Sequence, residues 1–409
     1  MNLKEIKMLY KLKPEDYSQG FDFFISTMGN CVNDSLAGIR NIIHNVLTYP
    51  VFNDLIEYRD FFQGKKAILV AGGWSLDQNI EHIKRLYGRI PIIACDTGLK
   101  ILLANGITPN FVTILERVEM CNNLIDVETD WNTPVFVTSH LADPKVFETV
   151  INKAHSICGF EDNAVFELSP VKGKIAKCSS SATMALALCD YMGFETVYLF
   201  GQDLIYNPDN EKITHSKHAH YGDKQENCYN NQSECVCIDG AIRKTQFWWQ
   251  LFGNEISRIK YDSKNINFIY NCNKQAMKLD YVDYAPAELF TGNEVKSNKL
   301  RYTVLNKSEG MIEKYAVINK AIDKWIKRLS SGEYSETVID NWNNFVNQNE
   351  WLKNILQGFF ISCYLALDNR EDYRKYTFKA VCDLLRVVSA VFDINKGGIQ
   401  NFEEVKNEN

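Results

Sequence analysis

The chain has 409 residues, a length that suits two or three domains. Hydrophobic residues make up 45%, charged residues 23% and aromatics 12%, which excludes a disordered, collagen-like or coiled-coil chain. Lysine and arginine number 45 against 51 acidic residues, a net charge of −6, so the electrostatic footprint of a general nucleic-acid binder is missing.

The N-terminus, MNLKEIKMLYKLKPED, is interrupted by charges and has no signal-peptide core. No run approaches the ~20 apolar residues of a membrane helix. The expectation is a cytoplasmic protein without membrane insertion. The 12 cysteines read as reduced, mostly buried thiols, such as Cys95, Cys189 and Cys363. The absence of a CxxC pair argues against a redox dithiol and a zinc ribbon.

In chain order, residues 1–64 read as a helical region, with helical apolar spacing in GIRNIIHNVLTYPVFNDLI. Residues 65–285 alternate short apolar runs with helical segments, the pattern of an α/β domain. Expected strands are 66–72, 91–96, 110–116, 134–140, 155–160, 196–203 and 265–271. Most are continuous apolar runs, as parallel strands covered on both faces should be. Gly106 and Gly193 fall where helix C-caps belong. Residues 286–409 read as helical, with Tyr315, Ile318, Ile322, Trp325 and Leu329 on one face and LRVVSAVFDI as a further buried helix.

A doubly wound, mostly parallel Rossmann-like sheet binds ligands beyond the carboxyl ends of its strands. That rule picks out Gly72, Gly73, Asp96, Glu116, His140 and Asp203.

The first motif is KKAILVAGGWSLDQNIEHIKRL. Gly72 and Gly73 link a strand to a helix, Ser75 is placed to cap it, and Gln78 completes a capping box. Leu76, Ile80, Ile83 and Tyr87 are the expected buried face of that helix. The turn reads either as an anion cradle at a helix N-terminus or as a tight turn capped for stability. Its spacing is neither GxGxxG nor GxxxxGK[ST].

The second motif is KCSSSATMALALCDYMGFETVYLFGQDL. Ser179, Ser180, Ser181 and Thr183 begin a small-residue helix, a second N-terminus rich in hydroxyls, and Gln202 and Asp203 end the strand after it. The third is THSKHAHYG, with His215, His218 and His220 in a polar loop after GQDL. An imidazole there can act as a general base. With Cys228, Cys235 and Cys237 nearby, a metal site is the alternative, although the spacing matches no standard zinc site. Asp96 and Glu116 close strands and can orient hydroxyls, hold a metal, cap a helix or form a local ion pair.

Three runs in order, GKKAILVAGGWSLDQNI, PIIACDTGLKILLANGITPNFVTILERVE and SSSATMALALCDYMGFETVYLFGQDL, resemble the motility-associated-factor (Maf-type) flagellin glycosyltransferase family over about residues 55–285. The central domain of that family is similar to 6-hydroxymethylpterin pyrophosphokinases and to bacterial sialyltransferases. In the glycine turn Trp74 stands where the family has Pro, and Ala71 where it has its first Gly.

The resemblance implies transfer of a sialic-acid-like nonulosonic acid, pseudaminic or legionaminic, from its CMP form to Ser or Thr of flagellin. His218 and His220, with Asp203, would be catalytic. Gly72, Gly73, Ser75, Asp96, Glu116, Ser180, Ser181, Thr183 and Gln202 would bind nucleotide and sugar. No metal site is expected and no cofactor is required, Mg2+ being the one ion the reaction could use. A pyrophosphokinase using ATP and Mg2+ predicts instead that Asp96, Glu116 and Asp203 converge. A non-enzymatic flagellin-binding protein predicts a cradle blocked by Trp74.

Overall fold

The computed structural model describes residues 36–49, 51–117, 135–151, 156–158, 168–170, 175, 178–211, 213–217, 232–293, 304–306, 310–331, 336–349, 351–353, 356, 381–386, 388–389 and 392. His218, His220, Cys228 and Cys363 lie outside them. The chain forms two compact units, Val51–Asp162 with Val171–Leu305, and Met1–Pro50 with Asn163–Pro170 and Asn306–Asn409.

The first unit is built on a sheet of β1 (Val51–Asp54), β2 (Lys66–Val70), β3 (Ile92–Cys95), β4 (Phe111–Ile114), β5 (Val135–Thr138), β6 (Ser156–Cys158), β7 (Thr196–Phe200), β10 (Phe268–Asn271), β11 (Asp283–Tyr284) and β12 (Val304–Asn306). A separate antiparallel hairpin consists of β8 (Gln232–Val236) and β9 (Ile242–Gln246). The sheet order is β11-β10-β7-β2-β3-β4-β5-β6-β1-β12. Pairing from β11 through to β1 is parallel. Strand order reverses between β2 and β7, the switch point at which doubly wound sheets open a crevice.

Successive residues of one strand serve opposite layers. Ala67 and Leu69 of β2 join Ile93, Phe111, Val197 and Leu199 under α5 (Ser181–Tyr191) and α6 (Phe247–Asp262). Ile68 and Val70 join Ile92, Ala94, Tyr198 and Phe200 under α2 (Leu76–Leu86) and α3 (Asp96–Ala104). This double burial explains the unbroken apolar runs in the sequence. Helix α4 (Pro144–Ile151) adds Val146 to a smaller cluster with Val112, Ile114 and Phe136. Every residue from Thr183 to Cys189 of α5 is buried, as in a helix lying between a sheet and another helix.

All seven expected strands form. Gly106 and Gly193 end α3 and α5 at φ of +70° and +84°. At both ends the Schellman pair of bonds is made: Ile107 N–H to the Leu102 carbonyl with Gly106 N–H to Leu103, and Phe194 N–H to Cys189 with Gly193 N–H to Asp190.

Three expectations change. The N-terminal helical region does not run to residue 64: α1 spans residues 36–48, stops before Pro50, and β1 follows in the sheet. The sheet-based unit likewise extends past residue 285 to Leu305, taking in β12. On α2, Leu86 is buried while Tyr87, just beyond the helix, is 44% exposed.

In the second unit α1 buries Ile39, Ile42, Ile43 and Val46. Helices α7 (Met311–Ser330) and α8 (Glu336–Asn347) follow. Helix α7 buries Tyr315, Ile322, Trp325 and Leu329, the face expected from the sequence apart from Ile318, which is half-buried. The Tyr315 hydroxyl donates to the Leu168 carbonyl at 2.7 Å, and Trp325 packs edge-on to Trp342. No helix among the described residues is long and apolar enough to cross a membrane.

His140, placed by the sequence at a strand end beside the site, is fully buried after β5 with its ring stacked on Phe147. Burial pushes its imidazole down to about 3. The ring is therefore neutral in the fold, whereas an unfolded histidine takes a proton below pH ~6.5. Its contribution to stability is present above that value and is lost as the pH falls toward 3. Urea unfolding at pH 7 and pH 4.5 should show a marked loss of stability at the lower pH, and His140→Gln should make that loss smaller. An unchanged difference would assign the acid sensitivity elsewhere.

Candidate functional site

The carboxyl ends of β2 and β7 are joined directly. Ala71 N–H donates to the Phe200 carbonyl at 2.9 Å, and Gly73 N–H to the Gly201 carbonyl at 2.8 Å. A methyl group on Gly73 would lie 2.3 Å from that oxygen and 2.5 Å from Asp203 Oδ2, so only glycine fits.

Asp203 is buried over this turn. Its Oδ2 accepts the Ser75 N–H at 2.9 Å. Its Oδ1 accepts the Ser75 hydroxyl at 2.5 Å and the Asn273 side-chain amide at 2.9 Å. Burial pushes the carboxyl up, while the Ser75 and Asn273 donors oppose the shift. Asn271 supports the same strand end by donating to the Gln202 carbonyl at 2.9 Å.

This arrangement corrects the reading of the first motif. Ser75 has helical backbone angles and makes no side-chain cap; its hydroxyl serves Asp203, so there is no capping box with Gln78. Four of the N–H groups at this turn are spent inside the protein: Gly73 on Gly201, Ser75 on Asp203, Leu76 on the Gly73 carbonyl and Gln78 on the Ser75 carbonyl. Asp203 is itself the anion at this turn, and its oxygens are occupied by structural partners. Trp74 does not block the turn, because its side chain is buried in the core beneath α5 and α6.

The second motif folds as a hydroxyl-rich helix start. Ser180 caps α5: its Oγ accepts the Thr183 N–H at 3.1 Å, and Thr183 Oγ1 accepts the Ser180 N–H at 3.2 Å. Ser179 instead binds Glu255 of α6 through both its N–H and its hydroxyl. The first-turn N–H groups of Ser181 and Ala182 have no partner among the described residues.

Asp96 sits beside this helix start. Cys95 holds the N-cap position of α3, so Asp96 is its first residue rather than its cap. Asp96 Oδ1 accepts the Thr97 N–H at 2.7 Å, and Oδ2 accepts the Ser181 hydroxyl at 2.7 Å. Burial pushes this carboxyl up, against those two hydrogen bonds. Thr113 of β4 completes the junction, its hydroxyl donating to the Ser181 carbonyl at 2.7 Å. Glu116 is exposed two residues beyond β4, where its backbone carbonyl accepts the Asp143 N–H at 3.2 Å. Asp96, Glu116 and Asp203 do not converge, and no group of three metal-ligating side chains occurs among the described residues.

Of the loop histidines, His215 is described. Gly73 and His215 form an isolated antiparallel bridge, and Ser216 N–H donates to the Gly72 carbonyl at 3.0 Å. The loop thus lies across the glycine turn. His215 Nδ1 is 2.8 Å from the Thr214 hydroxyl, and burial lowers its pKa, leaving a neutral ring at pH 7. Sequence reasoning missed Asn271, Asn273, Thr97 and Thr113, which carry no motif and matter only through the strand ends they bring together. The Asp203–Asn273 pair spans 70 residues of chain.

Residues 40–209 match the family model described as 6-hydroxymethylpterin diphosphokinase MptE-like. Among solved structures, a Maf glycosyltransferase from Magnetospirillum magneticum AMB-1 has a similar fold, with a TM-score of 0.67 at 15% identity. The match covers 93% of this chain and 63% of that one, so this chain spans somewhat under two thirds of the neighbour's length. No curated protein sequence matches the chain. The two findings bear out the resemblance to Maf-type proteins with an MptE-like central segment and the doubly wound α/β fold.

Ser75→Ala should cost ~1–3 kcal/mol, because it removes one of the two side-chain donors to the buried Asp203 Oδ1. Ser180→Ala should cost ~1 kcal/mol, as an ordinary cap does. Gly73→Ala should be worse than either, since its methyl meets backbone. Chemical denaturation of the three variants checks the order; equal losses for Ser75→Ala and Ser180→Ala would return Ser75 to a capping role.

Proposed function

We propose that this chain, similar in fold to a Maf glycosyltransferase, is itself a glycosyltransferase that moves a nonulosonic acid from its CMP form to Ser or Thr of flagellin. The observation that carries the reading is the asymmetry of the two helix starts. In the turn before α2 the buried Asp203 carboxylate takes the Ser75 N–H, while at the start of α5 the N–H groups of Ser181 and Ala182 have no partner among the described residues and lie beside Asp96. A helix N-terminus with free N–H groups suits an anion, here the phosphate of CMP.

In the reaction the acceptor oxygen attacks the anomeric carbon, and the bond from that carbon to the phosphate oxygen breaks. CMP leaves with the bonding electron pair, and the hydroxyl proton passes to a base. The Ser181 and Ala182 N–H groups would hold the departing phosphate. Asp96 would orient the donor, with Glu116 at the rim. Ser180 and Thr183 shape the helix start by capping each other. Gly72, Gly73, Ser75, Gln202 and Asp203 support the site as its floor, a structural task in place of the nucleotide-binding and catalytic roles first expected of them. His215 is the imidazole whose position favours the base; His218 and His220 remain candidates further along the same loop. The acceptor, the choice between pseudaminic and legionaminic acid, and a cytoplasmic setting rest on the family resemblance.

The kinase alternative is disfavoured by the separate hydrogen-bond partners of Asp96 and Asp203, which do not form the shared carboxylate cluster that Mg2+ with ATP would use.

A ligand that binds only the folded protein raises its melting temperature. CMP should therefore stabilise the protein more than ATP with Mg2+, and Ser181→Ala should weaken the CMP effect more than Ser75→Ala does. A strong response to ATP with Mg2+ and none to CMP would decide for the kinase. If CMP binds, His215→Ala should lower sugar transfer by ~10²–10⁴-fold, the usual worth of a general base. Normal transfer by that variant would move the base to His218 or His220.

A further inference from the structure

The His215 segment is fastened on two sides. On one side it bonds the glycine turn through Ser216 N–H and the Gly73–His215 bridge. On the other it meets Asp77 in the first turn of α2. Asp77 Oδ1 accepts the Ser216 hydroxyl at 2.5 Å, and Oδ2 accepts the Lys217 backbone N–H at 3.0 Å.

One carboxylate therefore holds donors from two consecutive residues, one on a side chain and one on the main chain. The bond to Lys217 N–H fixes the backbone itself, which a contact to the Ser216 side chain alone would not. An acidic residue in the first turn of a helix also lies in a favourable field. Both oxygens nevertheless serve a loop about 140 residues away in sequence.

We propose that Asp77 is a positioning residue of the transfer site: by tying Ser216 and Lys217 to the start of α2, it holds His215 across the Gly72–Gly73 turn at the carboxyl ends of β2 and β3. The proposal rests on the reading above, in which His215 receives the acceptor's proton. Asp77 itself touches neither donor nor acceptor. Its work is geometric, and a displacement of ~1 Å in a catalytic group can cost on the order of 10²-fold in rate.

The test uses the full chain with Asp77→Ala, Asp77→Asn, Ser216→Ala and the Asp77→Ala/Ser216→Ala double variant. Asp77→Asn keeps an acceptor for Ser216 and loses the one for Lys217, and it replaces Asp77→Ala in the same comparisons should the latter fail to fold. The first readout is the His215 ring titration by NMR, in a setting that also holds Asp77, Asp96, Asp203 and Lys217. The ring titrates below ~6.5 in the parent and should move up toward that value once the loop is released. The second readout is transfer from the CMP-activated sugar: kcat should fall at least tenfold, with the donor KM within about threefold. The double variant should be no worse than Asp77→Ala alone, because both changes break one clamp.

Folded Asp77→Ala protein with an unchanged His215 titration and unchanged kcat overturns the proposal. So does a loss of thermal stability with no effect on either readout. A shifted titration in variants of a parent that transfers no sugar supports the clamp and overturns the donor reading, so the two failures are distinguishable.

Discussion

The site depends on one buried carboxylate. Asp203 stands at the end of β7 and takes hydrogen bonds from Ser75 at the end of the β2 turn and from Asn273 after β10. Three adjacent strands of the sheet are thereby joined at their carboxyl ends by a single side chain. Removing a carboxylate of this kind from water is costly unless donors meet its oxygens. That requirement explains the glycine at position 73, the helical backbone of Ser75 and the burial of Asn273: each lets a donor or a main chain come close enough.

The same interaction bears on which part of the sheet edge the proposed donor would use. A doubly wound fold offers several helix N-termini on one edge, and each is an anion site in principle. At the switch point a carboxylate of the protein, Asp203, already takes the Ser75 N–H. At the start of α5, over β3 and β4, the Ser181 and Ala182 N–H groups have no partner among the described residues and the Ser181 hydroxyl bonds Asp96. On the proposed reading the donor lies toward β3 and the glycine turn serves as its floor.

The sheet was readable because its strands are buried on both faces and so are unbroken apolar runs; that held from Lys66 to Asn271. The hairpin of β8 and β9 was not, because its residues are largely polar and Val236 and Ile242 face solvent at 52% and 66% exposure, which resembles a loop. β1 was absorbed into a helix whose apolar spacing continues past Pro50. At the site, the hydroxyl-rich start of α5 could be read locally, since Ser180 and Thr183 cap within one turn. The function of Ser75 could not. Its pattern with Gln78 is that of a capping box, and what overrides it is a carboxylate 128 residues further on. Local sequence gives the donors of a hydrogen bond; only the topology gives the acceptor.

Two imidazoles near the sheet edge show how environment sorts residues of one type. His140 is enclosed against Phe147, with its protonated form suppressed to about pH 3, so it is too weak a base to accept a hydroxyl proton near neutrality. His215 is also neutral at pH 7, but it lies on a loop crossing the glycine turn and is only half-buried. Burial lowers the basicity of His215 but keeps its ring neutral and able to accept a proton, while anchoring restricts its motion. The anchoring comes from α2 through Asp77, and α2 is placed by the turn that Asp203 holds. The carboxylate at the glycine turn is thus linked, through α2 and Asp77, to the loop that carries His215.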